Sequence, residues 1–201
     1  NVTRNQTRFP NTRLGVEAVL VRAFAEADAY RKMWEQHRKR SASSTEPPPR
    51  RDLRLEALAR VLEGEIGVHC HCYRADEILM LLGVADRFGI GIRSLQHGLE
   101  AYKIAPEVAR HKCSVSTFSD WWAYKWEAYD ATPYNAALLR EAGVPVCLKS
   151  DSPNVVRTMY LEAAKLLRYG DFTPDAALET ITIIPARQLR LDARIGSIEV
   201  G

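Results

Sequence analysis

Four short apolar runs, each followed by a polar turn and an amphipathic segment, constrain the fold of this 201-residue chain most strongly. The runs cover residues 66–71, 92–97, 113–118 and 144–149, and the spacing predicts helices near 75–88, 104–111 and 134–142. Successive strand and helix units of this length favour right-handed crossovers, which produce a parallel sheet. The sequence therefore predicts an α/β fold with half of the strands of an eight-stranded (β/α)8 TIM barrel.

The segments on either side of these units complete the predicted organisation. Apolar positions at helical spacing predict a long helix over residues 14–40, with Asn11 or Thr12 as its N-cap. Three prolines then mark residues 41–51 as a loop or linker. Further helices are predicted at 155–169 and after Thr173, and the closing IGSIEVG is predicted to begin a strand. We predict a helical insertion with a Pro-rich linker over 1–52, followed by the half-barrel over 53–201.

Composition excludes several classes of protein. With 46% apolar and 26% charged residues the chain is typical of soluble globular proteins, and a net charge of +3 favours neither nucleic acid nor a membrane surface as partner. No apolar run reaches the length of a membrane span. The four cysteines lie in or beside strand-like runs, which favours buried thiols and a reducing, cytoplasmic compartment over a disulfide framework. Because the sequence begins with Asn1 and not Met, the compartment stays open.

Three potential metal ligands, His71, His97 and Asp151, lie at the ends of three of the predicted strands. In a parallel barrel the C-terminal ends of the strands converge on one mouth, so ligands distant in sequence are expected to meet there. Imidazole and carboxylate groups suit zinc, and manganese or iron accepts the same ligands. A carboxylate at Asp151 can also accept a proton from an attacking water.

Residues in and beside this set of potential ligands have alternative interpretations. His69 shares a strand face with His71, but it lies deeper in the strand, where a structural histidine bonded to a polar neighbour is favoured. Asp151 precedes Ser152 and Pro153, so it also fits a turn or helix N-cap. Lys149 lies two residues before Asp151 on the same predicted face, and it either pairs with that carboxylate or reaches solvent.

Aromatic residues follow the third strand, where a loop would cover the barrel mouth. This aromatic loop contains Trp121, Trp122, Tyr124, Trp126 and Tyr129. It predicts either a surface that stacks on substrate or a packed loop whose tryptophans are buried. The residues predicted to contact substrate are Arg74, Tyr102, Trp122 and Lys125, of which Arg74 and Lys125 are cations able to bind a carboxylate.

Several segments resemble the C-terminal half of the metal-dependent amidohydrolase superfamily, in the branch similar to imidazolonepropionases. The resemblance rests on VHCHCYRADEIL, LQHGLEAYKIAPEVA, STFSDWWAYKWEAYDATPYNAALL, SDSP and IPARQLRLDARIGSIEVG. Residues 1–40 also resemble the helical insertion before the fifth strand in this branch. The resemblance implies that His71 and His97 are the ligands of strands five and six. It implies that Asp151 is the strand-eight aspartate, which binds metal and activates water.

The resemblance also identifies what these residues lack. Members of the superfamily begin their metal site with a His-x-His pair on the first strand, whereas the pair at His69 and His71 matches the fifth. We therefore expect a fragment that begins after strand four and is inactive alone, and whose partner is the missing N-terminal half or a second chain. The intact protein is expected to hydrolyse C–N bonds of cyclic amides, amides or peptide-like substrates. The alternative is a non-catalytic half-barrel, or a module that binds through the aromatic loop.

Overall fold

The computed structural model describes residues 9–40 and 45–200, which form two compact units. The first unit contains the described chain up to Gly67 together with Gly83–Gly91. The second contains Val68–Leu82 and the described chain from Ile92 onward. The predicted metal ligands all belong to the second unit.

Two helices, α1 (Arg13–Lys39) and α2 (Leu53–Leu62), build most of the first unit. Thr12 caps α1, because its side chain accepts a hydrogen bond from the Gly15 amide at 3.0 Å. The buried Tyr30 joins the helices, since its hydroxyl donates to Glu56 Oε1 at 3.1 Å. The predicted long helix is confirmed. Of the predicted linker, residues 41–44 lie outside the described residues, and 45–50 form neither helix nor strand.

The second unit is built on four parallel strands in the order β1-β2-β3-β4. The strands are β1 (Val68–Cys72), β2 (Ile92–His97), β3 (Ser114–Thr117) and β4 (Val146–Leu148). The helices that follow them are α3 (Ala75–Phe88), α4 (Ala105–Arg110), α5 (Asn135–Glu141), α6 (Met159–Gly170), α7 (Pro174–Glu179) and α8 (Ile183–Gln188). This alternation confirms the predicted α/β class and a partial (β/α)8 arrangement.

The core of the second unit lies between the sheet and its helices. Its fully buried side chains include Leu95 of β2, Val115 of β3 and Leu139 of α5. Strands covered on both faces are buried along their whole length, as β3 and β4 are. The edge strand β1 differs, because His69 and His71 are exposed on one face while Cys72 is buried on the other. All four cysteines are free, and three of them are buried.

In the C-terminal region one prediction was wrong, and a second was correct except in its first turn. Residues 195–200 form no strand, and Ile198 and Val200 are fully exposed. A strand needs a neighbour to pair its backbone groups, and no described strand lies beside this segment. The helix predicted from 155 begins instead as a 3₁₀ turn, Val155–Thr158, and becomes α-helical at Met159. None of the helices in the described ranges has the length and apolar character of a membrane span.

Candidate metal centre

The three predicted ligands lie together at the C-terminal ends of β1, β2 and β4. Nε2 of His97 is 2.9 Å from Nδ1 of His71. On the other side of the same ring, Nδ1 of His97 is 3.5 Å from Oδ2 of Asp151. The fold therefore brings residues separated by 80 positions in the sequence into one contiguous chain of contacts.

An unusual backbone conformation turns His97 toward the other ligands. In the parallel register His71 is paired with Gln96, so simple alternation would direct the next residue, His97, to the opposite face. His97 instead has φ 76°, and Asp151 has φ 44°. A non-glycine residue in this region costs on the order of 1–3 kcal/mol, and such strain concentrates at functional sites. The sequence pattern gives no sign of this turn.

Packing fixes the plane of the His97 imidazole. Only 3% of the residue is exposed. The ring of Tyr73 stacks on it with a centroid distance of 4.5 Å and an interplanar angle of 12°. Phe118 lies at 5.6 Å from the imidazole. The Nδ1 atom is buried without a hydrogen-bond partner among the described residues, so one ring nitrogen inside the site has an unused bonding position.

The environment of His97 keeps its imidazole neutral. Burial, and after it the positive charge of Lys149, lower the pKa of His97 from an ordinary value of 6.5 to about 4. The carboxylate of Asp151 acts in the opposite direction. At neutral pH the ring is therefore in the form that coordinates metal ions.

The lowered pKa of His97 predicts a loss of stability in acid. Above pH 6.5 the imidazole is neutral in both states. As the pH falls from 6.5 toward 4, His97 becomes protonated in the unfolded chain but stays largely neutral in the folded protein. The free energy of unfolding therefore decreases. The decrease attributable to His97 approaches roughly 3 kcal/mol. Urea unfolding between pH 7.5 and 4.5 measures it, and His97→Gln should remove that part of the slope. Parallel profiles for both proteins would contradict the assignment.

Lys149 pairs with Asp151, which decides between the two alternatives for this lysine. Its Nζ lies 3.1 Å from Oδ1 of Asp151, and 14% of its side chain is exposed. The same ammonium is 5.9 Å from the centroid of the Phe118 ring. Each oxygen of the Asp151 carboxylate thus has its own neighbour, Lys149 on one side and His97 on the other.

The donor set fits a divalent metal in chemistry but is incomplete in number. Two imidazoles and a carboxylate are ligands that zinc, manganese and iron accept. Within the described residues, however, no group of three or more His, Cys, Asp or Glu side chains is arranged to hold a metal ion. The described side chains therefore include donor groups of the right kind but do not form a metal site by themselves.

The other predicted contacts are dispersed. Nδ1 of His69 is 2.6 Å from Oγ of Ser94, which confirms the structural interpretation of that histidine. Arg74 is bonded to Asp76, and the hydroxyl of Tyr102 donates to the Asp130 carbonyl. Lys125 Nζ lies 3.6 Å from the centroid of the Tyr73 ring and 3.4 Å from Oε2 of Glu127.

The aromatic loop is only partly packed. Trp121 stacks on Phe118 with a centroid distance of 4.5 Å. By contrast Trp122 is 49% exposed and Trp126 is 81% exposed. The alternative of a packed loop whose tryptophans are buried was therefore wrong for Trp122 and Trp126. Trp122 remains available to an approaching molecule.

Asn135, the first residue of α5, supports the site and was missed by the sequence analysis. Only 1% of it is exposed. Its Nδ2 donates to the Gly98 carbonyl and to Oγ1 of Thr117, both at 3.0 Å, and its Oδ1 accepts from the Tyr102 amide at 3.1 Å. It thus connects the residue after His97 to the end of β3. The only sequence signal is an amide in an otherwise apolar helix start.

Replacing Gly98 with alanine is expected to reduce the free energy of unfolding by roughly 2–4 kcal/mol. Gly98 has φ 44°, and a Cβ there would lie 2.6 Å from Cγ1 of the buried Val115. Gly83→Ala is the matched control, since a Cβ at that helical position meets nothing within 4 Å. Urea unfolding of the three proteins measures the difference. Equal stability of the Gly98→Ala protein and the parent would contradict this packing.

A partial (β/α)8 sheet with histidine and aspartate side chains at its C-terminal strand ends has its polar residues where (β/α)8 barrel enzymes place their active sites. The comparisons agree: residues 26–201 match the model of the amidohydrolase family. The chain belongs to this family.

Known relatives extend beyond this chain. An amidohydrolase of Thermotoga maritima has a similar structure, with a TM-score of 0.83 and 34% identity, over 96% of this chain and 50% of that one. The amidohydrolase tasK of Hapsidospora irregularis is 32% identical over 156 residues, which are 75% of this chain and 16% of that protein. An uncharacterized metal-dependent hydrolase from Pyrococcus furiosus shares the fold at 14% identity, with a TM-score of 0.56, over 74% of this chain and 33% of that one. The chain thus spans half or less of these relatives.

Proposed function

We propose that this chain forms part of a metal-dependent amidohydrolase that cleaves C–N bonds in cyclic amides, amides or peptide-like substrates. The observation that carries the proposal is the line of contacts from His71 through His97 to Asp151 at one end of the sheet. Family membership supports hydrolysis, and this line of contacts supports a metal ion as its agent. His71 is exposed, and the described side chains do not form a complete set of metal ligands. We therefore expect other residues to complete the site.

In the proposed mechanism His71 and His97 hold the metal, which is zinc by first choice, with manganese and iron as alternatives. When bound, the metal supplies Lewis acidity that activates water and polarises the substrate carbonyl. Asp151 accepts the proton of the attacking water and then delivers it to the leaving nitrogen. Tyr73 and Phe118 exclude water from one side of the His97 ring and keep its orientation fixed.

We further propose that the remaining ligands come from strands that precede β1 in a whole barrel, supplied by the same protein or by a second chain. β1 is an edge of the described sheet, and its proposed ligand His71 is exposed. An edge strand with free backbone groups is ready to pair with another strand. The free, mostly buried thiols favour a cytoplasmic site of action.

Among the predicted substrate contacts, Trp122 and Lys125 fit the proposal best. Trp122 is half-exposed, and Lys125 Nζ lies 3.6 Å from the centroid of the Tyr73 ring, which itself stacks on His97. Arg74 and Tyr102 would have to give up hydrogen bonds to Asp76 and Asp130. A second candidate function, a binding module without catalysis, is favoured by the exposure of Trp126 and Tyr129, whose rings lie 5.7 Å apart.

Complementation between half-barrels tests the proposal. The 201-residue chain is mixed with the N-terminal half of the Thermotoga maritima amidohydrolase as a separate polypeptide, loaded with zinc, manganese or iron, and assayed on hydantoins, N-acyl amino acids and dipeptides. We expect hydrolysis of one of these classes that a chelator abolishes and that neither half shows alone. Binding of aromatic ligands that survives the chelator and the His71→Ala change, without any hydrolysis, would favour the binding module.

A further inference from the structure

A cavity of about 430 Å³ in the first unit has no role in the proposed mechanism. Small-molecule sites have volumes of roughly 300–1,000 Å³, so this cavity is large enough for a ligand. Four arginines and a tryptophan line it, namely Arg31, Trp34 and Arg38 of α1, Arg51 of the segment before α2, and Arg60 of α2. The cavity therefore combines concentrated positive charge with an aromatic wall.

The indole of Trp34 is held in this wall by its neighbours. The rings of Tyr30 and His37 are steeply inclined to it, with centroid distances of 6.3 and 5.8 Å. Nε1 of Trp34 is buried without a hydrogen-bond partner among the described residues, and the same holds for Nε of Arg31. A buried donor without an acceptor is destabilising, so both residues would gain from a ligand that brings oxygen atoms to the cavity.

Acidic side chains neutralise only part of the positive charge. The carboxylates that line the cavity are those of Glu56 and Glu63. Both oxygens of Glu56 are bonded to Arg51, each at 2.7 Å. Arg31 is bonded to Asp28 at 2.7 Å, and the negative charge of Glu63 acts on it as well. Arg31 and Arg51 are therefore paired within the protein.

Arg38 and Arg60 keep donors for another anion. Arg38 is exposed, and its side chain forms neither an ion pair nor a hydrogen bond within the described ranges. Arg60 donates from Nε to Oε2 of Glu65 at 2.8 Å, while its two Nη atoms have no acceptor in the same part of the chain. A guanidinium binds a carboxylate through parallel N–H donors, and these two arginines still offer them.

We propose that this cavity binds a small aromatic carboxylate. The ring of the ligand packs against Trp34, and its carboxylate accepts hydrogen bonds from Arg38 and Arg60. An apolar body is required because most of the cavity wall is carbon surface, and a negative charge is required because these guanidinium donors are unused. The site is separate from the proposed metal centre, since none of the predicted metal ligands lines the cavity.

Isothermal titration calorimetry of the 201-residue chain with cinnamate tests the proposal. Cinnamyl alcohol keeps the ring without the charge, and acetate keeps the charge without the ring. The variants are Trp34→Leu, Arg38→Gln and Arg60→Gln. Arg22→Gln is the matched control, because Arg22 belongs to the same helix, is 69% exposed and does not line the cavity. Thermal unfolding reports whether each variant is folded.

We expect saturable binding of cinnamate, with cinnamyl alcohol and acetate at least about tenfold weaker. Each of the three cavity variants should weaken cinnamate binding by about tenfold, because each removes a ring contact or a charged donor. Arg22→Gln and His97→Ala should stay within about threefold of the parent. A folded parent that does not bind cinnamate would overturn the proposal. Unchanged affinity in folded Trp34→Leu and Arg38→Gln proteins would overturn it too, as would binding that only His97→Ala abolishes.

Discussion

Replacing Asp151 with asparagine is expected to lower kcat/KM of the complemented enzyme by about 10²–10⁴-fold, the contribution of a positioned general base. Asparagine preserves the shape of the side chain but accepts no proton and binds a metal ion weakly. The change also releases Lys149 from its counter-ion, so part of the loss should appear as weaker metal binding. Initial rates with saturating zinc separate the loss of proton transfer from the loss of metal.

The control for this change is Asp130→Asn, which removes an exposed carboxylate that pairs with Lys103 at 2.6 Å. An exposed ion pair contributes little to stability, so its loss should leave the fold and the proposed site unchanged. We therefore expect kcat/KM of Asp130→Asn to stay within about threefold of the parent. An Asp151→Asn protein that is folded, loaded with metal and as active as Asp130→Asn would exclude Asp151 as the general base.

Replacing Asn135 with leucine is expected to reduce the free energy of unfolding by roughly 3–5 kcal/mol. The side chain is buried and forms three hydrogen bonds, which leucine cannot replace. The carbonyl of Gly98, the hydroxyl of Thr117 and the amide of Tyr102 would be left without these partners. Since Gly98 follows His97 directly, we also expect weaker metal binding.

Asn135→Asp tests the two donated hydrogen bonds. It keeps the acceptor for Tyr102 but places a carboxylate oxygen against the Gly98 carbonyl. Because a buried, unpaired carboxylate is costly, we expect a loss of stability at about pH 7 that becomes smaller in acid, where the protonated carboxyl can donate one of the bonds, as read from urea unfolding. A stable Asn135→Leu protein with unchanged zinc affinity would show that this amide does not support the site.

The sequence predicted the elements whose patterns depend on local burial. The bounds of β2 and α3 match the predicted 92–97 and 75–88, because a buried strand and an amphipathic helix each leave a clear periodicity. The strand predicted at 66–71 is shifted to Val68–Cys72, since its bounds depend on pairing with β2. The prediction of a strand at the C-terminus was wrong for the same reason. Whether a neighbouring strand is present to pair with residues 195–200 cannot be determined from those residues alone.

The candidate centre divides in a similar way. His71, His97 and Asp151 were found because their residue types occur at strand ends, where a parallel sheet brings side chains together. Their roles as ligands stay a prediction. The left-handed backbone at His97, the pairing of Lys149 and the three bonds of Asn135 depend on contacts between distant segments, so periodicity gives no sign of them.

The amount of zinc bound per chain shows whether His71 and His97 hold the proposed metal ion. It is measured on the complemented half-barrels for the parent, His71→Ala and His97→Ala. His69→Ala is the matched control, because that histidine bonds to Ser94 on the same strand face. We expect about one zinc ion per chain in the parent and in His69→Ala, and close to none in His71→Ala and His97→Ala. Full zinc content in folded His71→Ala and His97→Ala proteins would contradict it.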